Sequence, residues 1–240
     1  MDLAFYAAAA GASAQQKRLN VVANNLANLS TAGFKKESAV FSNLIYNELN
    51  PPAQEGTQLS ASSGAGVDKT NTDFSQGELL PSNMPYDYVL VSDGFFALKD
   101  PATGQITYTR DGSFRLSQQA DGRFLLAAEN GKHVLDNVGE VIAVDPNTTE
   151  ALPVGVYRFR TREGMLHVGD NEYLPTEKNG QAVAAENSSG LVLQGYTENS
   201  NVNMADEIEK MIEAQRAYQY ALKMVQTADE VETTINNLRG

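Results

Sequence analysis

The chain has 240 residues, of which 42% are hydrophobic, so it is long enough for one large domain or two small ones with a buried core. Its 30 acidic and 18 basic residues give a net charge of −12, which argues against a nucleic-acid partner because phosphate binding needs clustered Lys and Arg. It has no Cys, which excludes disulfides, thiolate nucleophiles and Cys-ligated metals.

An apolar stripe at helical spacing begins at the N-terminus and predicts a helix that is capped by Asp2 and ends at Gly33. The apolar run from Leu3 to Ala12 is about half the length that spans a bilayer, and no basic leader precedes it. We therefore expect neither a membrane-inserted helix nor a cleavable signal peptide. This N-terminal stripe comprises Phe5, Ala8, Ala12, Gln15, Leu19, Val22, Leu26 and Leu29.

Asn residues interrupt the second half of this helix at Asn20, Asn24, Asn25 and Asn28. Asn is a poor helix former because its side chain competes for backbone hydrogen bonds. Two interpretations stay open: these side chains bond to other chains, or they form a solvated face. The adjacent cations Lys35 and Lys36 are expected just past the helix end, where positive charge suits the helix dipole.

Between the first helix and the central region, part of the chain has the composition of an extended connector. A short apolar pattern runs from Phe34 to Tyr46, and the stretch from Asn50 to Gly66 is rich in Pro, Gly and small polar residues. Such a segment could become ordered against a neighbour.

From about Asp73 to Tyr196 the sequence changes to the period of strands. Asp93-Gly94, Asp111-Gly112, Asp121-Gly122 and Asn130-Gly131 separate β-prone runs, which is typical of type I′ hairpins. The pattern favours an antiparallel sheet, sandwich or small barrel. The predicted strands are 86–91, 95–98, 106–110, 113–116, 123–127, 132–135, 140–144, 155–159, 165–168, 173–175 and 191–196.

A second helix is predicted from about Asn199 to Asn237, with Ser200 and Asn203 as candidate caps. Together the elements predict an α+β chain with terminal N- and C-helices and a central, mainly antiparallel β domain. The C-terminal stripe comprises Ile208, Met211, Gln215, Tyr218, Leu222 and Val225, followed by Ala228, Val231, Ile235 and Leu238.

Catalytic and metal motifs give little support for an enzyme. His133 and His167 lie in strand-like runs without a nucleophile elbow, and no HExxH or EF-hand spacing occurs. An acidic pair for acid-base chemistry is possible, but no pair is distinguished by its surroundings. We expect no catalytic residue, cofactor or metal site.

The two stripes are the most informative feature, because large apolar side chains left in water each cost about 1.5–3 kcal/mol. Each stripe is long enough to need more partner surface than one antiparallel helix provides. We therefore expect the terminal helices to pair with each other or with neighbouring copies.

Four blocks of sequence resemble one known family. Asn24-Asn25-Leu26-Ala27-Asn28 with Thr31-Ala32-Gly33-Phe34-Lys35 resembles the N-terminal signature of bacterial flagellar axial proteins, the rod and hook family. Asp93-Gly94-Phe95-Phe96 and residues 108–114 are similar to its central motifs, and Ser200–Asn203 with residues 211–218 to its C-terminal signature. The length and layout are most similar to a basal-body rod protein, with proximal and distal positions both open and the proximal one slightly favoured.

The resemblance implies a coiled-coil assembly domain of residues 1–33 and 199–240, a connector of residues 34–75 and a projecting β-rich domain of residues 76–198. It implies self-assembly, contact with other rod and hook proteins, and delivery through the flagellar type III export apparatus to the basal body. The resulting assembly interface also includes Asn24, Asn25, Asn28 and, as polar contacts between subunits, Gln215 and Arg216.

Two other classes remain as alternatives. One is a secreted, adhesin-like surface module trimerised by terminal coiled coils, which would show a fixed stoichiometry where a rod subunit shows open-ended assembly. The other is a carbohydrate-acting enzyme that uses an acidic pair, which would lose activity on mutation of one carboxylate.

Overall fold

The computed structural model describes residues 3–43, 46–48, 60–62, 64–119, 122–145, 152–185 and 190–239. Helix α1 (Leu3–Ala27) and helix α2 (Met204–Arg239) flank a region of short, mainly antiparallel strands, which confirms the α+β class. Among these residues, neither helix is long and apolar enough to cross a membrane. The predicted cap Asp2 lies outside the described residues.

The strands are numbered in chain order. They are β1 (Glu37–Asn43), β2 (Tyr46–Glu48), β3 (Ser60–Ser62), β4 (Ala65–Thr72), β5 (Leu79–Pro81), β6 (Tyr88–Leu90), β7 (Phe96–Lys99), β8 (Ile106–Thr109), β9 (Arg115–Gln118), β10 (Phe124–Ala127), β11 (His133–Val134), β12 (Ala143–Val144), β13 (Tyr157–Arg158), β14 (Leu166–Gly169), β15 (Glu172–Leu174), β16 (Val183–Ala184), β17 (Val192–Gln194) and β18 (Tyr196–Glu198).

The chain divides into two compact units. The first, called the helical unit, comprises Met1–Ala27, Glu37–Asn71 and Asn203–Gly240. The second, called the β unit, comprises Asn28–Lys36 and Thr72–Val202.

In the helical unit, α1 packs along α2, and strand β1 packs on α1. β1 pairs with β4, and β2 pairs antiparallel with β3, so the predicted connector contains paired strands. The Asn50–Pro52 part of that connector lies outside the described residues. Gly64 sits against α1, where an added Cβ would come within 3.2 Å of the Ala7 backbone.

Helix α1 ends at Ala27, earlier than the predicted end at Gly33. The Asn28 carbonyl accepts a 3.2 Å bond from the Thr31 N–H, and the Asn28 side chain accepts a 3.2 Å bond from the Thr31 hydroxyl. This local turn replaces the next helical hydrogen bonds, as Asn side chains tend to do. Residues 28–36 then belong to the β unit.

In the β unit, a sheet of eight strands has the order β12-β10-β11-β7-β8-β15-β14, with β9 paired to β10. The predicted strands from 86 to 175 are confirmed, although most are shorter than predicted, and β5 and β16 were not predicted. The predicted strand 191–196 instead forms two strands, β17 and β18, which pair with β6 and β5. One apolar cluster forms around Leu90, Phe96, Leu126 and Val156, and a second around Phe95, Leu135 and Tyr173.

Only two of the four predicted hairpins form. Gly122 and Gly131 have a φ of +83° and lie in the turns that join β9 to β10 and β10 to β11, although Asp121 itself lies outside the described residues. The predictions at Gly94 and Gly112 are wrong, because β6 pairs with β17, and β8 pairs with β7 and β15. Both glycines instead allow close packing: an added Cβ would lie 2.7 Å from Val156 Cγ1 at Gly94 and 1.7 Å from the Tyr88 oxygen at Gly112.

Candidate assembly site

The most buried apolar residues of α1 and α2 are small. Val22 on α1 and Ala214 on α2 are almost fully buried, and Ala12 is buried further along α1. Between the same helices, the Arg18 guanidinium lies 3.1 Å from the Glu213 carboxylate. Small side chains allow two helix backbones to approach closely.

A buried polar cluster also joins the two helices. Asn25 is 1% exposed, and its Nδ2 donates to a Glu207 carboxylate oxygen at 3.0 Å and to the Glu37 carbonyl at 2.8 Å. Its Oδ1 accepts a 2.9 Å bond from the Glu37 N–H, so the side chain pairs with β1 as a neighbouring strand would. Lys210 Nζ compensates the Glu207 charge at 2.6 Å. Asn25 is thus bonded within its own chain, and it does not lie on a solvated face.

The predicted interface residues fall into three groups by burial. Ala12, Val22 and Asn25 are buried; Phe5, Ala8, Leu19, Leu26, Asn28, Leu29, Met211, Tyr218 and Val225 are half-buried; Asn24, Ile208, Gln215, Arg216 and Leu222 are exposed. Asn28 and Leu29 belong to the β unit and the others to the helical unit. The exposed group includes Ile208 and Leu222, which are 38% and 40% exposed and keep part of their apolar surface in water in the single chain.

The buried side of α2 lies one position away from the predicted stripe at two points. Glu207 and Ala214 are buried, whereas their neighbours Ile208 and Gln215 are exposed. Ala214 was missed because an apolar stripe is identified by its large residues, and an alanine gives a weak signal.

Most of the large apolar side chains of α2 from Tyr220 onward are exposed in the single chain. Tyr220 is 70% exposed and Leu238 is 82% exposed. Met224, Val231 and Ile235 are exposed as well. The helix therefore presents apolar surface well beyond its contact with α1.

The β unit contains a second, unpredicted polar site, around Lys35. This side chain is fully buried, and its Nζ donates 2.6 Å bonds to a Glu198 carboxylate oxygen and to the Ser75 carbonyl. The same Glu198 oxygen accepts a 2.9 Å bond from the Gly77 N–H. The expectation that Lys35 complements a helix dipole is wrong, because α1 ends at Ala27.

Arg110 completes a buried cluster of three charges. Its Nε lies 3.7 Å from the second Glu198 oxygen, and its Nη1 donates a 2.9 Å bond to the Ser92 carbonyl. Burial lowers the pKa of Lys35, and the Glu198 carboxylate opposes that shift. Burial likewise lowers the pKa of Arg110 against the attraction of Glu198. One carboxylate thus lies between two buried cations.

Asn201 bonds its own segment of the β unit to two others. Its Oδ1 accepts a 2.8 Å bond from the Lys36 N–H, and its Nδ2 donates to the Asp73 carbonyl at 2.8 Å. The same amide lies 3.0 Å from the Ser75 hydroxyl. Together with the Lys35 cluster, these bonds join residues 33–36, 73–77 and 198–201, which are close to the points where the chain passes from one unit to the other.

Gly33 is the residue through which the N-terminal motif contacts the central motif. Its φ is +68°, and an added Cβ would lie 2.4 Å from the Asp111 backbone nitrogen. Its N–H donates a 2.8 Å bond to the Glu198 carbonyl. Two motifs that are distant in sequence therefore meet through backbone contact, which only glycine permits at this position.

Catalytic chemistry finds little support in this geometry. His133 lies in β11 and His167 in β14, the strands in which both were predicted. Throughout the described ranges, no three His, Asp or Glu side chains are grouped so that they could hold a metal ion.

Comparison with known families places the chain among the flagellar axial proteins. Residues 5–35 match the family described as flagella basal body rod protein, and residues 193–238 match the flagellar basal body rod FlgEFG protein C-terminal family. Residues 90–155 match the flagellar hook protein FlgE/F/G D1 domain. The matched segments include both helices and the motifs that converge around Lys35.

Full-length relatives give a narrower assignment, and the chain belongs to the flagellar basal-body rod protein family. It is 35% identical to the flagellar basal-body rod protein FlgG of Buchnera aphidicola subsp. Baizongia pistaciae, over 95% of this chain and 96% of that protein. It is 33% identical to FlgG of Borreliella burgdorferi, over 100% and 99% of the two chains. A FlgF rod protein of Mesorhizobium japonicum is 28% identical over 99% and 98%.

The chain is accordingly a structural subunit of the flagellar basal-body rod that assembles with other axial proteins. The family is a structural one and not a family of enzymes. None of these matches supports the adhesin-like alternative.

Proposed function

We propose that the helical unit forms the assembly core of the rod, in which α1 and α2 pack as a coiled coil against the helices of neighbouring subunits. The apolar surface that α2 exposes from Tyr220 to Leu238 carries this proposal. Leaving such side chains in water is costly, so a surface of this kind is expected to be covered in the working assembly.

The predicted interface residues then have two roles. Val22, Asn25 and their buried neighbours hold α1 on α2 within a subunit. The exposed residues Ile208, Gln215 and Leu222 contact adjacent subunits, with Arg216 as a further polar contact. In this arrangement the rod is an axial drive shaft that transmits torque from the motor to the hook, and its stiffness comes from the packed helices.

We assign one role in the rod to each segment of the chain. Residues 1–33 and 199–240 serve assembly, residues 34–75 bridge to neighbouring subunits, and residues 76–198 project as the β-rich domain. Subunits reach the growing rod through the flagellar type III export apparatus.

Leu222→Asp tests the proposal, because Leu222 is 40% exposed in the single chain, so a carboxylate there can reach water before assembly. Circular dichroism of the purified variant checks that its helices are intact. In cells that lack the native gene, we expect the variant to be made and folded but absent from purified basal bodies, with swimming lost. A charge placed in an apolar subunit contact has no partner and costs several kcal/mol, of order 3 kcal/mol or more.

Gln219→Asp is the matched control, since it adds the same charge at an exposed position one turn earlier on α2. It should enter basal bodies normally if Gln219 lies outside the subunit contact. Normal incorporation of Leu222→Asp would refute the proposed interface.

A further inference from the structure

A cleft of about 480 Å³ in the β unit has a charge opposite to that of the whole molecule. Its walls include Arg158, Arg160 and Arg162, and Asp93 is the one acidic residue among the described residues that line it. The chain as a whole carries a net charge of −12. Three guanidinium groups around one opening therefore form a local positive region on an acidic protein.

Two of the three arginines are fixed in place by the opposite wall. Arg158 Nε donates to the Asp93 carbonyl at 3.0 Å, and its Nη2 lies 3.2 Å from the Ser92 hydroxyl. Arg162 Nη1 lies 2.6 Å from the Asp93 carboxylate. On the inner side, the buried Arg110 donates to the Ser92 carbonyl and adds positive charge behind the cleft.

Arg160 differs from both neighbours. It is exposed, and its guanidinium has no hydrogen-bond or ion-pair partner among the residues that the structure describes. The aromatic rings of Phe95 and Phe159 pack edge to face, with centroids 5.8 Å apart, and form an apolar part of the cleft lining. A free guanidinium beside a fixed, partly apolar wall is suited to a planar anion that accepts two parallel hydrogen bonds.

We propose that this cleft binds a carboxylate-bearing segment of a second copy of the chain, with Arg160 as its principal contact. Charge complementarity identifies the occupant, because the chain has 30 acidic side chains against 18 basic ones. Repulsion between whole molecules is screened beyond about 8 Å at physiological salt, so the local match decides the contact. A nucleic acid fits less well, since it needs positive charge along an extended path.

The assembly part of this inference rests on the proposed function, whereas binding of a carboxylate does not. A fluorescein-labelled hexaglutamate peptide is therefore titrated into the full-length chain and followed by fluorescence anisotropy. We expect saturable binding that weakens with added NaCl and is about fivefold weaker for Arg160→Glu. Arg160→Lys should retain part of the binding.

Arg115→Glu is the matched control, because Arg115 is also an exposed arginine of the β unit and its reversal changes the net charge equally. It should bind the peptide nearly as well as the native chain. Equal loss in both variants would show a general charge effect and overturn the proposal, as would the absence of saturable binding. Tighter binding of a thymidine hexanucleotide than of the peptide would also overturn it.

Sedimentation velocity separates this inference from the proposed function. Arg160→Glu should associate less than Arg115→Glu at the same concentration, whereas Leu222→Asp should fail to assemble and yet bind the peptide normally. If Leu222→Asp assembles normally while Arg160→Glu loses the peptide, the helical interface is wrong and the cleft stands. If Arg160→Glu binds the peptide as the native chain does, the cleft is wrong whatever Leu222→Asp does.

Discussion

At the scale of single residues, the β unit depends on an ion cluster that is almost completely excluded from water. The side chains of Lys35 and Glu198 are 0% and 1% exposed, and Arg110 is 2% exposed. Burying charges is costly unless each has partners, and here the carboxylate serves two cations and a backbone N–H. The removal of Glu198 would therefore leave two uncompensated positive charges in the interior.

We predict that Glu198→Gln lowers the free energy of unfolding of the β unit by about 3–5 kcal/mol, because breaking a buried pair leaves a charge without compensation. Urea unfolding followed by tyrosine fluorescence measures the change. Glu129→Gln is the control, since Glu129 pairs with Arg115 at 3.6 Å and both are mostly exposed. The free energy of unfolding should fall by less than about 1 kcal/mol in Glu129→Gln. Equal losses in the two variants would show that the Lys35 cluster does not stabilise the unit.

The partners of Lys35 could not be predicted from the sequence. Lys35 and Glu198 are 163 residues apart, and neither has a neighbour in the sequence that marks it as buried. Adjacent lysines are usually exposed to water, so the local pattern predicted an exposed Lys35 where the structure buries it. Asn25 is similar, because its partner Glu207 is 182 residues away.

At the scale of secondary-structure elements, the Asp-Gly pairs illustrate how one sequence signal arises from two causes. Gly122 and Gly131 need a positive φ in a tight hairpin, which is a local requirement. Gly112 is needed because the backbone of β6 lies against it, with the Tyr88 N–H donating a 3.0 Å bond to the Gly112 carbonyl. The dipeptide is the same in two of these cases, and only the neighbour in space distinguishes them.

We predict that Gly112→Ala destabilises the β unit by roughly 3 kcal/mol or more, since the new methyl group would overlap the Tyr88 carbonyl and displace β6 from the core. Gly139→Ala is the control, because Gly139 has a φ of +89° and open space around it. The free energy of unfolding of that variant should fall by only about 1–2 kcal/mol, because alanine is disfavoured in a left-handed backbone conformation. Urea unfolding of both variants gives the comparison, and a loss at Gly112 no larger than that at Gly139 would contradict the close-packing explanation.

At the scale of the whole molecule, the chain also passes between the two units away from the ends of the helices. Residues 28–36 follow directly on α1 but belong to the β unit, and residues 37–43 return to the helical unit. Each short segment is held inside its own unit: Gly33 donates to Glu198 at 2.8 Å, and Glu37 donates to Asn25 at 2.9 Å. Neighbouring peptide groups thus depend on different packing partners.

We predict that hydrogen exchange in increasing urea divides the amides by unit and not by position in the sequence. The Gly33 amide should lose protection together with the strands of the β unit, and the Glu37 amide together with α1. The end of α2 from Tyr220 should exchange fastest among the helical residues of the dilute chain, because little packs on it. A single urea midpoint shared by Gly33, Glu37 and both units would contradict this division.

The sequence by itself determined the α+β class, two terminal helices, the positions of the central strands and membership of the flagellar rod family. These features follow from signals carried by residues close together in the chain: apolar periodicity, the Asn203 cap that accepts a 2.9 Å bond from Ala205, and contiguous motifs. The tertiary structure alone decided the early end of α1, the burial of Lys35, the role of Gly112 and the face that α2 presents to α1. Those features depend on groups far apart in the chain, because burial and hydrogen-bond pairing are fixed only when the units pack.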